Sequence, residues 1–252
     1  MSVFDSREFN ETLFYPRGER SAAPKGAQDL FIDTSDGAKV HVRMHESERP
    51  VAIVLLFHGN GEVVSDYDDA AEFFSDAGAS LSVADFRGYG ASTGSPSFRS
   101  TLSDSPRILE AVLAKTELPL IVMGRSLGGA CAAELCREAR PRVAGYVFES
   151  SGSDLSELVR RRGMRVPSFS ADDIATFDPL TKMASCTTPA LILHGQRDDI
   201  IHLREAEATH HAIAGSTFVR IPECGHNDLS RSNLYWRALG AFIRSCTDGV
   251  SK

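Results

Sequence analysis

Long apolar runs are missing from this chain: the longest, Val51 to Phe57, falls far short of the roughly 20 residues that a membrane-spanning helix requires. Stable membrane insertion is therefore not expected. Positive charge is also in deficit. With 27 Lys and Arg against 34 Asp and Glu, the formal net charge is −7, which disfavours a nucleic-acid partner, because such affinity rests on cations that neutralise phosphates. Cysteine is sparse. Cys131, Cys136, Cys186, Cys224 and Cys246 are odd in number and form no CxxC pair, so neither a disulfide framework nor a zinc site is expected. No repeat, low-complexity tract, dinucleotide fingerprint or P-loop is present, and the first residues carry charge rather than an apolar leader, so a cytoplasmic location is expected. Oligomeric state is not readable from these features.

What is there is an ordinary globular composition, 42% hydrophobic and 24% charged, in a chain of 252 residues that is long enough for one α/β domain. Residues 28–34 and 38–44 alternate apolar and polar around Ser35-Asp36-Gly37, as a hairpin with one exposed face does. Short, almost wholly apolar runs follow at 51–57, 80–86, 118–124, 143–149, 189–195 and 216–222, and these read as strands buried on both faces. Helix-compatible stretches fall between them, at about 63–77, 101–115, 127–139 and 203–214, with a closing amphipathic helix over 229–246. This alternation predicts an eight-stranded, mostly parallel sheet flanked by helices. Residues 152–188 interrupt the rhythm and read as a small cap insertion of about two short helices. Residues 1–27, with Pro16, Gly18, Pro24 and Gly26, read as an irregular arm at the sheet edge.

The chemistry is carried by Gly124-Arg125-Ser126-Leu127-Gly128, which lies between an apolar strand and the helix former AlaCysAlaAlaGluLeu. A GxSxG pentapeptide alone is a weak signal, but this strand-turn-helix setting is what a nucleophile elbow demands. It lifts the Ser126 hydroxyl above the carboxyl edge of the sheet and offers the Leu127 amide to a developing oxyanion. A serine hydroxyl needs a base. His226, in the loop between the last strand and the last helix, is best placed of the eight histidines; His41, His45, His210 and His211 read as packing or surface residues, and His58 as a structural one. The acid that orients the base is sought in the loop His194-Gly195-Gln196-Arg197-Asp198-Asp199. Adjacent loop residues point different ways, so one aspartate alone can serve: Asp198 is favoured, and Asp199 reads as a helix cap. A second oxyanion donor is expected in His58-Gly59-Asn60-Gly61-Glu62, with the Asn60 amide as the candidate and Gly61 as the fallback.

Taken in order, HGNGE at 58, DFRGYGASTGSPS at 85, GRSLG at 124, HGQRDDII at 194 and GHND at 225 resemble the α/β-hydrolase superfamily over residues 28–246. Within it, the pairing of HGN with GHND resembles the branch of serine aminopeptidase-like hydrolases and membrane-associated protein depalmitoylases. The resemblance implies hydrolysis by acyl transfer with no cofactor and no metal, and it places the triad acid at Asp198, four residues after the His of HGxxD. It also implies that Arg87, Gly88 and Gly90 shape a rim. Absence of an N-terminal cysteine cluster departs from the depalmitoylases. The expectation is a serine hydrolase that cleaves a small-molecule ester or thioester. A peptidase, with Glu62 receiving a peptide terminus, and a non-catalytic binding protein on the same fold are the alternatives. Arg160, Arg161 and Arg162 read as a solvated face or an anion site; Leu155, Leu158, Val159, Met164, Val166 and Phe169 read as acyl-pocket lining or as anchors.

Overall fold

The computed structural model describes residues 2–161, 163 and 169–248. Eight strands form one sheet: β1 (Ala27–Asp33), β2 (Lys39–His45), β3 (Ala52–Phe57), β4 (Ala79–Ala84), β5 (Leu120–Arg125), β6 (Val143–Glu149), β7 (Ala190–Gly195) and β8 (Thr217–Ile221). Their spatial order is β1-β2-β4-β3-β5-β6-β7-β8. β1 and β2 pair antiparallel, β2 meets β4 antiparallel, and the remaining pairs are parallel, the mixed sheet that the hairpin and apolar runs predict.

The apolar runs need no alternation because helices cover both faces. Ile53, Leu55 and Phe57 of β3 enter one core, with residues of α3 (Phe98–Leu113), α4 (Gly129–Cys136) and α8 (Leu203–Ala212). Ala52, Val54 and Leu56 enter the other, with α2 (Ala71–Asp76) and α9 (Asn233–Thr247). α3 runs through Pro106, whose missing N–H leaves the Leu102 carbonyl without its usual donor. The Ser105 hydroxyl supplies one at 2.9 Å.

Two expectations change. The first 27 residues are irregular from 14 to 26, but before that they hold a 3-10 turn over Val3–Asp5 and α1 (Arg7–Leu13), and they bury Phe4, Phe9, Leu13 and Phe14 in the α3 and α4 core. Phe9 and Leu13 are one helical turn apart, and the apolar surface they remove from water is what orders the segment. Among its described residues the insertion holds three short helices rather than two: α5 (Leu155–Arg161), α6 (Ala171–Thr176) and α7 (Pro179–Ala184), the last packed on α4 and α8. Among the described residues no helix is long and apolar enough to cross a membrane.

Candidate active site

Strand register brings the two Gly-containing turns together. β3 and β5 are parallel neighbours with Phe57 opposite Gly124, so His58–Asn60 and Arg125–Leu127 leave the sheet side by side at its carboxyl edge. The second turn is tight. Ser126 sits at φ +50°, and a Cβ on Gly124 would stand 2.5 Å from the Gly128 carbonyl oxygen. A Cβ on Gly128 would overlap the Phe57 carbonyl. Both glycines are thus steric requirements of the turn that exposes Ser126.

His226 reaches across this edge from the loop after β8. Its Nε2 lies 2.9 Å from the Ser126 Oγ and its Nδ1 2.8 Å from Asp198 Oδ2. Asp198 is buried, and its Oδ1 accepts the Ile200 and Ile201 amides at 2.9 and 2.8 Å. Burial opposes ionisation of Asp198, but the His226 hydrogen bond and charge and the Ile201 amide outweigh it and hold the carboxyl below its ordinary range. The carboxylate therefore accepts from Nδ1–H, leaving Nε2 to accept the Ser126 proton. Asp199 is exposed, which separates the two aspartates. His194, pushed down by burial, sits below with its Nε2 2.8 Å from the Ile201 carbonyl.

Asn60 stands on the neighbouring turn. Its side-chain Oδ1 accepts from the Tyr15 amide at 2.9 Å and the Tyr89 hydroxyl at 2.6 Å, and its Nδ2 donates to the Leu13 carbonyl at 2.5 Å. Next to it, Glu62 Oε2 accepts the Gly59 amide at 2.7 Å and the Tyr67 hydroxyl at 2.6 Å, while Oε1 pairs with Arg125. Arg125 also meets Glu149 Oε1 at 3.3 Å and donates to Asn227 Oδ1 at 2.9 Å. This guanidinium joins the turn after β3, the end of β6 and the His226 loop. In the pentapeptide it is only the variable residue, and Glu149 reads only as a strand end.

A pocket opens from Ser126 and Leu127 between Phe98, Leu155, Phe177 and Ile201. Of the insertion residues considered from sequence, Leu155 lines it, Val159 is core, and Phe169 packs 5.9 Å from Phe4. The Leu158 side chain, Arg162, Met164 and Val166 lie outside the described residues. Arg160 pairs with Glu157, and Arg161 with Glu205 at 2.8 Å, so both are engaged within the protein. His41, His45 and His58 are buried. His41 Nδ1 and His58 Nε2 both face Asp85, at 2.9 and 3.3 Å, and together hold that carboxyl down to about 2 against the burial that would raise it. At the rim, Arg87 is paired with Asp104 through two bonds, at 2.6 and 2.8 Å.

Residues 48–169, a little under half of the chain, match the family model described as serine aminopeptidase, S33. Over 264 residues the chain is 25% identical to protein bem46 of Schizosaccharomyces pombe, covering 94% of this chain and 86% of that one. It is 24% identical over 243 residues to the α/β-hydrolase domain-containing protein WAV2 of Arabidopsis thaliana, covering 86% and 78%. The fold matches the Pyrococcus furiosus esterase Pf2001 with a TM-score of 0.73 at 18% identity, over 92% of this chain and 98% of that one. The chain thus has the fold of this esterase and, over residues 48–169, resembles the serine aminopeptidase-like branch of the α/β-hydrolases.

Proposed function

We propose that the protein cleaves a carboxylic ester or thioester of a small molecule through an acyl-enzyme on Ser126. One observation carries the reading: a continuous hydrogen-bonded line from Ser126 Oγ through His226 to a buried Asp198 carboxylate. In this mechanism His226 Nε2 takes the hydroxyl proton as Oγ attacks the acyl carbon, and Asp198 holds the ring and stabilises the imidazolium. The Asn60 and Leu127 amides receive the oxyanion, a donor of this kind being worth about 2.7–4 kcal/mol. The imidazolium then gives its proton to the departing alcohol or thiol, and water repeats the sequence on the acyl-enzyme.

The mostly apolar wall of Phe98, Leu155, Phe177 and Ile201 suits an acyl group. Glu62 bonds to Arg125, Tyr67 and the Gly59 amide, which disfavours its use as a receptor for a peptide amine. The sparse, odd-numbered cysteines favour a reducing compartment, the cytoplasm, within this reading. A panel of p-nitrophenyl esters, acyl thioesters and aminoacyl anilides tests the reading. Esters or thioesters should turn over in the wild type and not in Ser126→Ala; preferential anilide cleavage would reject ester hydrolysis as the activity.

A further inference from the structure

The segment before β1 is expected from sequence to be peripheral, yet its contacts converge on the active site. Three of its residues grip the oxyanion turn. The Leu13 carbonyl accepts from Asn60 Nδ2 at 2.5 Å, the Tyr15 amide donates to Asn60 Oδ1 at 2.9 Å, and Arg17 NH1 donates to the Gly61 carbonyl at 3.0 Å. Tyr89 closes the arrangement, its hydroxyl 2.6 Å from Asn60 Oδ1 and 2.8 Å from the Tyr15 nitrogen. The same segment braces the acyl cavity. Phe4 and Phe9, both fully buried, lie 4.9 and 6.2 Å from the ring of Phe98, and Asn10 Oδ1 accepts the Phe98 amide at 2.8 Å.

Resting on the acyl-enzyme reading above, we infer that residues 4–17 are a working part of the active site, a strap that positions the Asn60 amide as oxyanion donor through the Asn60 side chain. An oxyanion donor acts only if it is aimed before charge develops. The turn that carries it is flanked by Gly59 and by Gly61, the latter at φ +78°, and glycine gives a turn little stiffness of its own. Stiffness comes from outside. Both polar ends of the Asn60 carboxamide are fixed by a segment that is itself anchored by three buried phenylalanines, Phe4, Phe9 and Phe14. Asn60, Leu13 and Tyr15 are positioning residues: the hydrogen bond to substrate comes from the backbone of residue 60.

The test uses two variants of the full chain. Asn60→Asp keeps the backbone N–H and the oxygen that faces Tyr15, but sets a second oxygen against the Leu13 carbonyl. Tyr15→Pro removes the N–H that reaches both Asn60 Oδ1 and the Tyr89 hydroxyl, at a position following the extended Phe14 and with a side chain that is largely exposed. Both should lower kcat about tenfold to hundredfold with KM within about threefold, since the lost interaction belongs to the transition state. A thionoester in place of the oxoester gives the diagnostic readout. Its sulfur draws little from amide donors, so the oxoester-to-thionoester rate ratio should fall about tenfold in each variant, a change that loosened folding would not produce. If Asn60→Asp does not fold, Tyr15→Pro alone carries the comparison. Wild-type kcat in both variants, or equal losses on the two substrates, overturns the strap. Absence of Ser126-dependent turnover in the wild type overturns the acyl-enzyme reading itself, and the strap with it.

Discussion

Replacing Arg125 by methionine keeps most of the side-chain volume and removes the guanidinium that faces Glu62 and Glu149. The three side chains are only 12%, 22% and 7% exposed, so the two carboxylates would be left largely buried without their counter-charge. Breaking a buried ion pair from one side costs about 3–5 kcal/mol. At roughly 2–4 °C per kcal/mol for a chain of this size, the midpoint of thermal unfolding should fall by about 6–20 °C. The loss should also depend on pH. Burial already pushes Glu149 above its ordinary range, Arg125 pulls it back, and deleting Arg125 lets it rise further. A carboxyl raised in the folded state favours folding in its protonated form; that contribution is full below the unfolded value near 4.5 and is lost as pH climbs through the folded one. Urea unfolding of wild type and Arg125→Met near pH 5 and near pH 8 should therefore show the smaller deficit at the acid end. Equal deficits at both pH values, or a deficit under about 1 kcal/mol, would refute the reasoning.

Three further outcomes follow from the same geometry. Asp198→Asn replaces the acceptor of the His226 Nδ1 proton and should cost about 10⁴-fold in kcat with little change in KM; steady-state kinetics on the best ester gives the number, and a loss below tenfold would assign the acid elsewhere. Gly128→Ala has no room beside the Phe57 carbonyl and should destabilise by more than about 4 kcal/mol, read from urea midpoints or from loss of soluble protein. Phe177→Ala deepens the acyl cavity and should move the preferred p-nitrophenyl ester to a longer chain, each well-placed methylene adding about 1–3 kcal/mol of discrimination; an unchanged chain-length profile counts against this cavity as the acyl site.

The sheet was legible because each buried strand is a short apolar run, and Ser126 because strand, tight turn and helix are consecutive in the chain. His226 was legible from chain order and its loop. Asp198 and Asp199 are equivalent as residues, and the family pattern was needed to choose between them; in the fold they differ because the Ile200 and Ile201 amides turn Asp198 inward. What stayed hidden is long in range. Arg125 finds Glu62 and Asn227 at separations of 63 and 102 residues, and no local periodicity encodes either. In the N-terminal segment, Phe9 and Leu13 do carry helical spacing, but the seven-residue helix is too short for propensity to announce it, and its stability comes from Phe98 and the rest of the core it packs on.

The central claim is that Ser126 becomes acylated with His226 as its base. A fluorophosphonate phosphonylates the same activated hydroxyl with loss of fluoride, so intact mass spectrometry after brief exposure tests that activation. One adduct per chain is expected, mapped to Ser126, absent in Ser126→Ala and formed far more slowly in His226→Ala. An adduct on another residue, or labelling of Ser126→Ala at the wild-type rate, would contradict it.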